Sequence, residues 1–279
     1  MHRVICVRTA PDKSFSYIHK RDSNPEQIDF RLHTHNGYEI LIFLKGEADF
    51  IVEGSVYSLR PMDIVLTRRD EMHQLVNTSR KQYERIVINL DESFFHNAQC
   101  GQYTEIFLNR KSGEGNLIER EAVKKAEIFD TLLRLEKYMK PNTKKNEIVI
   151  RCILTEFLHQ LNELKASANG VVQNETVKKV LVYINGNLRE ELSLDFLAEH
   201  FFISKYHLCR CFRQCTGFTV NQYITYRRLM LVRDLHRAGK SLSAASTEAG
   251  FASYSNFYKA YVRETGYPPS EGLSGQQKE

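Results

Sequence analysis

The sequence predicts a multidomain α+β protein: an N-terminal β-barrel with helices at its C-terminal end, then an all-α domain with two helix-turn-helix motifs joined by a long helix. Three observations predict it. Short apolar runs punctuated by Gly and Pro fill residues 28–90, as in an antiparallel barrel or sandwich. From about Glu119 the apolar spacing becomes helical. The last hundred residues then state one pattern twice.

In the strand section, Tyr38–Leu44 is β-branched and aromatic and stops at Lys45-Gly46. Ala48–Val52, a Glu53-Gly54 turn and Ser55–Leu59 follow, then Ile64–Thr67 and Tyr83–Asn89. Beyond Glu119, Val123, Ala126, Ile128, Leu132 and Leu135 recur at helical spacing until Pro141-Asn142-Thr143 breaks the helix. A second helix is expected over 147–165. Its Ile150, Leu154, Phe157, Leu161 and Leu164 average about 3.5 residues apart, the period of a helix–helix seam. That seam either packs on its own barrel or pairs with a second copy of the chain. The small, polar Ala166–Gly170 marks the domain boundary, which divides the chain into 1–112, 113–170 and 171–279.

In the rear section, Leu194…Leu197-Ala198…Ser204…Leu208…Arg210…Phe212…Gly217 is echoed by Leu242…Ala245-Ser246…Ser253…Phe257…Lys259…Tyr261…Gly266. Each copy reads as a short apolar helix, a break, and a second helix capped by a Ser. Asn185-Gly186-Asn187 ends the preceding helix through residues that tolerate left-handed geometry. Ser193 caps the helix from Leu194, and Gly217 stops the one after it. Between the copies, a helix over 219–238 would span about 30 Å, close to the roughly 34 Å repeat of B-DNA. Its Arg227, Arg228, Arg233 and Arg237 would lie near the DNA backbone or form pairs within the domain.

Composition is that of a soluble globular chain, with 42% hydrophobic and 26% charged residues. No run is long enough for a membrane helix, and Met1–Arg8 lacks the apolar core of a signal peptide. A cytoplasmic protein with reduced thiols and no membrane partner is expected. Residues 172–279 carry 14 Lys/Arg against 10 Asp/Glu, a modest cationic excess that suits a polyanion.

Residues 172–270 resemble the DNA-binding domain of the AraC/XylS family of transcription regulators. Gly250-Phe251-x-x-x-Ser255-x-Phe257-x-x-x-Tyr261-x4-Gly266-x-x-Pro269 is similar to the family signature. Departures are Ala245-Ser246 where the family usually has Ile-Ala, Val232 where it has Ala, and no Tyr-Arg after Pro269. The resemblance implies double-stranded DNA as partner. It places Tyr206, Cys209 and Arg210 toward bases in the first copy and Tyr254, Ser255 and Lys259 in the second. Lys205, His207 and Asn256 would be phosphate or edge contacts. Arg210 is the leading base reader, since Arg bonds a guanine edge bidentately. Cys209, Cys211 and Cys215 are offset by two and six residues and do not share one helix face, which argues against a shared metal site.

In the front section, His33-Thr34-His35-x-x-x-Glu39-x6-Gly46 places His33, His35 and Glu39 at alternating positions, so that along a strand they would face one side. His73 follows, with Asn77 beyond it. These residues resemble the first motif of the cupin fold and the His of its second. In metal cupins three His and one Glu bind Fe, Mn or Zn, ions that suit nitrogen and oxygen donors. Here Arg68-Arg69-Asp70 replaces the second motif's Pro-x-Gly. Sensor domains of AraC regulators are also cupin-like, often with such His residues in effector pockets without a metal. Three readings stay open for His33, His35, Glu39 and His73: an effector pocket, with Phe43, Tyr57 and Arg31 adding stacking or anion contacts; a metal site; or structural histidines. No cofactor is assigned.

The expectation is a ligand-responsive, sequence-specific DNA-binding regulator that works as a homodimer and is not an enzyme. The resemblance implies an activator more often than a repressor, a sugar or related metabolite as effector, and contact with RNA polymerase where it activates. The alternative is a cupin metalloenzyme with an accessory helical domain, which leaves the doubled rear motif unexplained.

Overall fold

In the computed structural model, which describes residues 2–23, 33–69, 71–139, 144–164, 171–172 and 174–270, the chain divides into two units, Met1–Gln173 and Asn174–Glu279. Arg31, Asp70, Pro141–Thr143 and Lys165–Gly170 lie outside the described residues.

Among the described residues, the front unit holds ten strands: β1 (His2–Thr9), β2 (Phe15–Asp22), β3 (Tyr38–Lys45), β4 (Ala48–Val52), β5 (Ser55–Leu59), β6 (Ile64–Thr67), β7 (His73–Asn77), β8 (Tyr83–Leu90), β9 (Leu117–Ile118) and β10 (Val171–Val172). They form two antiparallel sheets, ordered β1-β2-β8-β3-β6-β9 and β10-β5-β4-β7. Leu41, Phe43, Val65 and Val87 of the first sheet pack with Phe50, Val52, Tyr57 and Leu75 of the second. The alternate residues Ile40, Ile42, Ile64, Leu66, Ile86 and Ile88 enter a separate core beneath the helices. β3 is therefore buried on both faces, which is why it reads as a continuous apolar run. Phe43 and Tyr57 are core residues: Phe43 packs on Tyr83, and the Tyr57 hydroxyl donates to Gly113 O and Asn116 Oδ1.

The helices of this unit are α1 (Glu92–Asn97), α2 (Glu105–Leu108), α3 (Arg120–Lys125), α4 (Ile128–Met139) and α5 (Glu147–Asn162). Glu127, at φ +54°, separates α3 from α4 where helical periodicity alone suggests one helix. The seam of α5 is filled from within: Ile150, Leu154, Phe157 and Leu161 are fully buried in the core that holds Leu132 and Leu135 of α4 and the outer face of the larger sheet. Arg8, buried on β1, reaches Glu147 Oε2 at 3.2 Å and anchors the start of α5.

The rear unit comprises α6 (Glu175–Gly186), α7 (Leu194–His200), α8 (Lys205–Thr216), α9 (Val220–Arg237), α10 (Leu242–Glu248) and α11 (Tyr254–Thr265). Gly186 stays helical, and α6 ends without left-handed geometry: Asn187 sits at φ −128°, its backbone N–H donates to Ile184 O at 3.1 Å and its side-chain Nδ2 to Tyr183 O at 2.8 Å. Each helix pair is joined as the repeat requires. Ser193, Ser204, Ser241 and Ser253 each accept from a backbone amide three residues on. Thr219 and Gln222 form a reciprocal capping box at the start of α9. Among the described residues, no helix is long and apolar enough to cross a membrane.

Candidate functional site

In the rear unit, α8 and α11 are the second helices of the two motifs. On α8, Leu208, Cys211, Phe212 and Cys215 face inward, while Lys205, Tyr206, His207 and Arg210 are exposed and Cys209 is half-buried. The Arg210 guanidinium lies 5.9 Å from the centre of the Tyr206 ring, a cation–π contact that steadies both outward side chains. Lys205 pairs with Asp195, and His207 Nε2 lies 3.5 Å from Cys211 Sγ. All six cysteines are free. On α11, Phe257, Ala260 and Tyr261 enter the core with Ala245 of α10, leaving Tyr254, Ser255, Asn256, Tyr258 and Lys259 exposed. Ser246, also fully buried on α10, satisfies its hydroxyl by donating to Ser243 O at 2.8 Å.

The two motifs are tied through α9. Arg228 donates from Nε to Leu188 O at 2.9 Å and from Nη2 to Glu190 O at 2.7 Å, so it holds the loop between α6 and α7. Burial lowers its pKa. Of the two roles open to Arg228 in sequence, the intra-domain one is realised. A cleft of about 760 Å³ beside it is lined by Arg189, Ser193, Asn256, Lys259 and Arg263. Arg189 and Arg263 lie outside the repeat pattern and escaped the sequence reading.

In the front unit, His33 and His73 exchange two backbone hydrogen bonds, at 3.1 and 3.0 Å, as an isolated antiparallel bridge. His33 and His35 precede β3, so regular strand alternation is not what gathers them. The cluster nevertheless forms: ring centroids of His33, His35 and His73 are 4.6–5.0 Å apart. Glu39, buried on β3, faces His35 Nε2 at 2.8 Å and His73 Nε2 at 3.5 Å. Burial would raise the Glu39 carboxyl, but the two imidazoles hold it well below the usual carboxylate range. Burial would likewise lower His73, and Glu39 raises it instead. Phe50 stacks on His73 at 5.6 Å, a contact with no sequence signature. His73 Nδ1 lies 2.8 Å from Glu71 O. The Glu71 carboxylate is itself fixed by two 2.6 Å hydrogen bonds from Arg110 and one from Gly113 N.

A family model described as the AraC-like ligand binding domain matches residues 17–158, about half of the chain, and a helix-turn-helix domain model matches residues 197–274. The chain belongs to the AraC family.

As members of that family, the front unit is a ligand-binding domain and the rear unit a DNA-binding one. The chain is 32% identical over 99 residues to the HTH-type transcriptional activator AarP of Providencia stuartii, covering 35% of this chain and 73% of AarP. It is 23% identical over 261 residues to the HTH-type transcriptional activator RhaR of Escherichia coli, covering 90% and 89%. The solved structure of ToxT from Vibrio cholerae O395 aligns over 96% of this chain and all of that one, at 16% identity and a TM-score of 0.39. The AraC family is one of transcription regulators, which sets aside the metalloenzyme alternative.

Proposed function

We propose that this AraC-family regulator binds a repeated operator through both motifs and that its front unit controls the binding by taking up a small molecule at the histidine cluster. In this reading residues 1–112 bind the effector, 113–170 support dimerisation and 171–279 bind DNA. On α8, Tyr206, Cys209 and Arg210 address bases, with Lys205 and His207 at phosphates or base edges. On α11, Tyr254, Ser255 and Lys259 address bases, with Asn256 at a phosphate or base edge. Arg189 and Arg263 in the adjoining cleft add phosphate contacts. The observation that supports the reading is the 18-residue α9 between the two exposed recognition helices: at about 1.5 Å per residue it spans about 27 Å, close to the roughly 34 Å of one DNA turn.

Control then requires that the effector bind one arrangement of the protein better than another. The relatives named as activators support positive regulation, with RNA polymerase as a further partner. The AraC/XylS resemblance supports a sugar or related metabolite as effector and carbohydrate genes as targets, and a DNA partner fits a cytoplasmic protein. For dimerisation, the outer surface of the α4–α5 pair is the better candidate, since the α5 seam is filled. Leu133 and Ile148 are 62% and 75% exposed there.

Selection of bound duplexes from a random pool, followed by footprinting, tests the reading. Two protected major-groove segments about one turn apart are expected. A single protected segment, or no sequence enrichment, would overturn it.

A further inference from the structure

The inward face of α8 carries chemistry that DNA binding does not use. Cys211 and Cys215 sit one turn apart on that face, 9% and 5% exposed, and both are free thiols. His207, exposed and one turn before Cys211, brings its Nε2 to 3.5 Å from Cys211 Sγ. The three residues make a row along one stripe of the helix, each four residues from the next. We propose that this row is a thiol-modification site: a hydroperoxide joins Cys211 to Cys215, and the disulfide breaks the end of α8. The consequence for DNA rests on the reading of α8 as a recognition helix; the thiol chemistry does not.

Three observations carry it. First, Cys211 lies at the edge of the core beside an exposed imidazole, which takes the thiol proton and leaves the reactive thiolate. Second, Cys215 lies deeper, and burial, with Cys211 beside it, pushes its thiol up. That orders the two: Cys211 reacts first, and Cys215 waits as the resolving thiol. Third, the helix cannot hold the product. Residues four apart on a helix keep their Cβ atoms about 5–6 Å apart, whereas a disulfide needs about 3.5–4.5 Å. Side-chain rotation does not move a Cβ, so the backbone of α8 must give. The bonds at risk close its last turn: Gly217 N–H to Arg213 O at 2.9 Å and the Thr216 hydroxyl to Phe212 O at 2.7 Å.

The chemistry balances without a cofactor. The Cys211 proton passes to His207 Nε2, and the thiolate attacks one oxygen of hydrogen peroxide. The O–O bond breaks, the sulfur is oxidised to a sulfenic acid, and the other oxygen leaves as water with the proton His207 held. The Cys215 thiol then attacks the Cys211 sulfur. The S–S bond forms, the S–O bond breaks, and a second water leaves with the Cys215 proton.

The test uses the full-length reduced chain and hydrogen peroxide. Trypsin separates the three cysteines of α8 into peptides 206–210, 211–213 and 214–227. A covalent link between 211–213 and 214–227 is expected, its mass lower by two hydrogen atoms and the link reversed by dithiothreitol. Exposed Cys152 reports general oxidation in the same digest. The linked protein should lose helical circular dichroism and bind its operator about tenfold more weakly, the scale of one lost base contact. Cys211→Ala should bind as the parent does when reduced and keep its helical signal and binding under peroxide. His207→Ala should form the link more slowly. Peroxide that oxidises Cys152 yet leaves 211–213 and 214–227 unlinked would overturn the proposal, as would a link that leaves the helical signal unchanged. If the link forms and the helical signal falls, but the reduced chain selects no operator, the thiol site stands and the DNA reading of α8 falls.

Discussion

The two helix-turn-helix copies are built alike at their ends and differ at one turn. Both second helices start at a Ser cap, and both stop at a glycine in left-handed geometry, Gly217 at φ +76° and Gly266 at φ +83°. The Thr before each glycine repeats as well: Thr216 donates to Phe212 O, and Thr265 to Tyr261 O. The turn between the helices breaks the symmetry. At an offset of 48, Phe202 in the first copy corresponds to Gly250 in the second, and both have positive φ, +54° and +91°. A Cβ on Gly250 would stand 2.4 Å from Leu188 O and 2.9 Å from Arg228 Nε, while Phe202 is 96% exposed. The second turn is thus a packing joint onto the loop that leads into the first motif, and the first turn is a surface feature. Equal sequence signals serve unequal jobs: one copy carries the outward Arg210, and the other is seated against the shared frame.

The largest effect that would break this comparison is expected at Gly250. Gly250→Ala combines a left-handed backbone, costing an L-residue about 1–2 kcal/mol, with a clash against backbone oxygen, costing about 1–3 kcal/mol. A loss of about 3 kcal/mol by urea denaturation is expected, whereas Phe202→Ala should stay within about 0.5 kcal/mol of the parent. Equal losses at the two sites would end the claimed asymmetry.

Arg228→Met comes next. It keeps the stem and removes the donors to Leu188 O and Glu190 O. Hydrogen bonds of a charged donor are worth about 1.5–3 kcal/mol each, shared here with partial solvent access, so a loss of about 2 kcal/mol is expected. Operator binding should then fall at both motifs in footprints. Loss at only one would show that the heads are not coupled through this residue.

On DNA, Arg210→Ala should lower the operator-to-random affinity ratio by about 1–3 kcal/mol at fixed salt. Lys259→Ala should lower it less, because Lys acts as a point charge while Arg recognises a base edge through two bonds. A greater loss of discrimination at Lys259 would transfer the main reading role to the second copy.

The repeat was legible because its signals are local: a cap, an inward four-residue spacing and a stop each lie within one helix. Arg228 was not, since its partner carbonyls lie about 40 residues away and backbone oxygens leave no trace in sequence. In the front unit, β3 to β6 and β8 were readable from apolar runs. β1 escaped because Val4 and Val7 are exposed while Arg8 is buried, the reverse of a half-buried strand pattern. The spacing of His33, His35 and Glu39 identified a cluster that the fold does assemble, though through a single bridge to His73 rather than a continuous strand. Phe50 and the Glu71 carbonyl, which shape the same cluster, needed the tertiary structure. The 3.5-residue seam of α5 showed that something packs there, but its period is the same whether the partner is its own core or a second chain.

The smallest effect has the opposite sign. Phe202 holds φ +54°, a region that costs an L-residue about 1–2 kcal/mol and costs glycine nothing. Its exposed ring returns little burial energy. Phe202→Gly relieves the turn but also frees the unfolded chain, an entropic cost of about 0.5–1 kcal/mol. The net expectation is stabilisation of about 0.5 kcal/mol, read as a shift in the urea midpoint with an unchanged slope. Because Gly250 already has the residue its turn requires, that gain should be confined to the first copy. A destabilised Phe202→Gly would mean the ring makes a folding contact and that the two turns are more alike than their packing indicates.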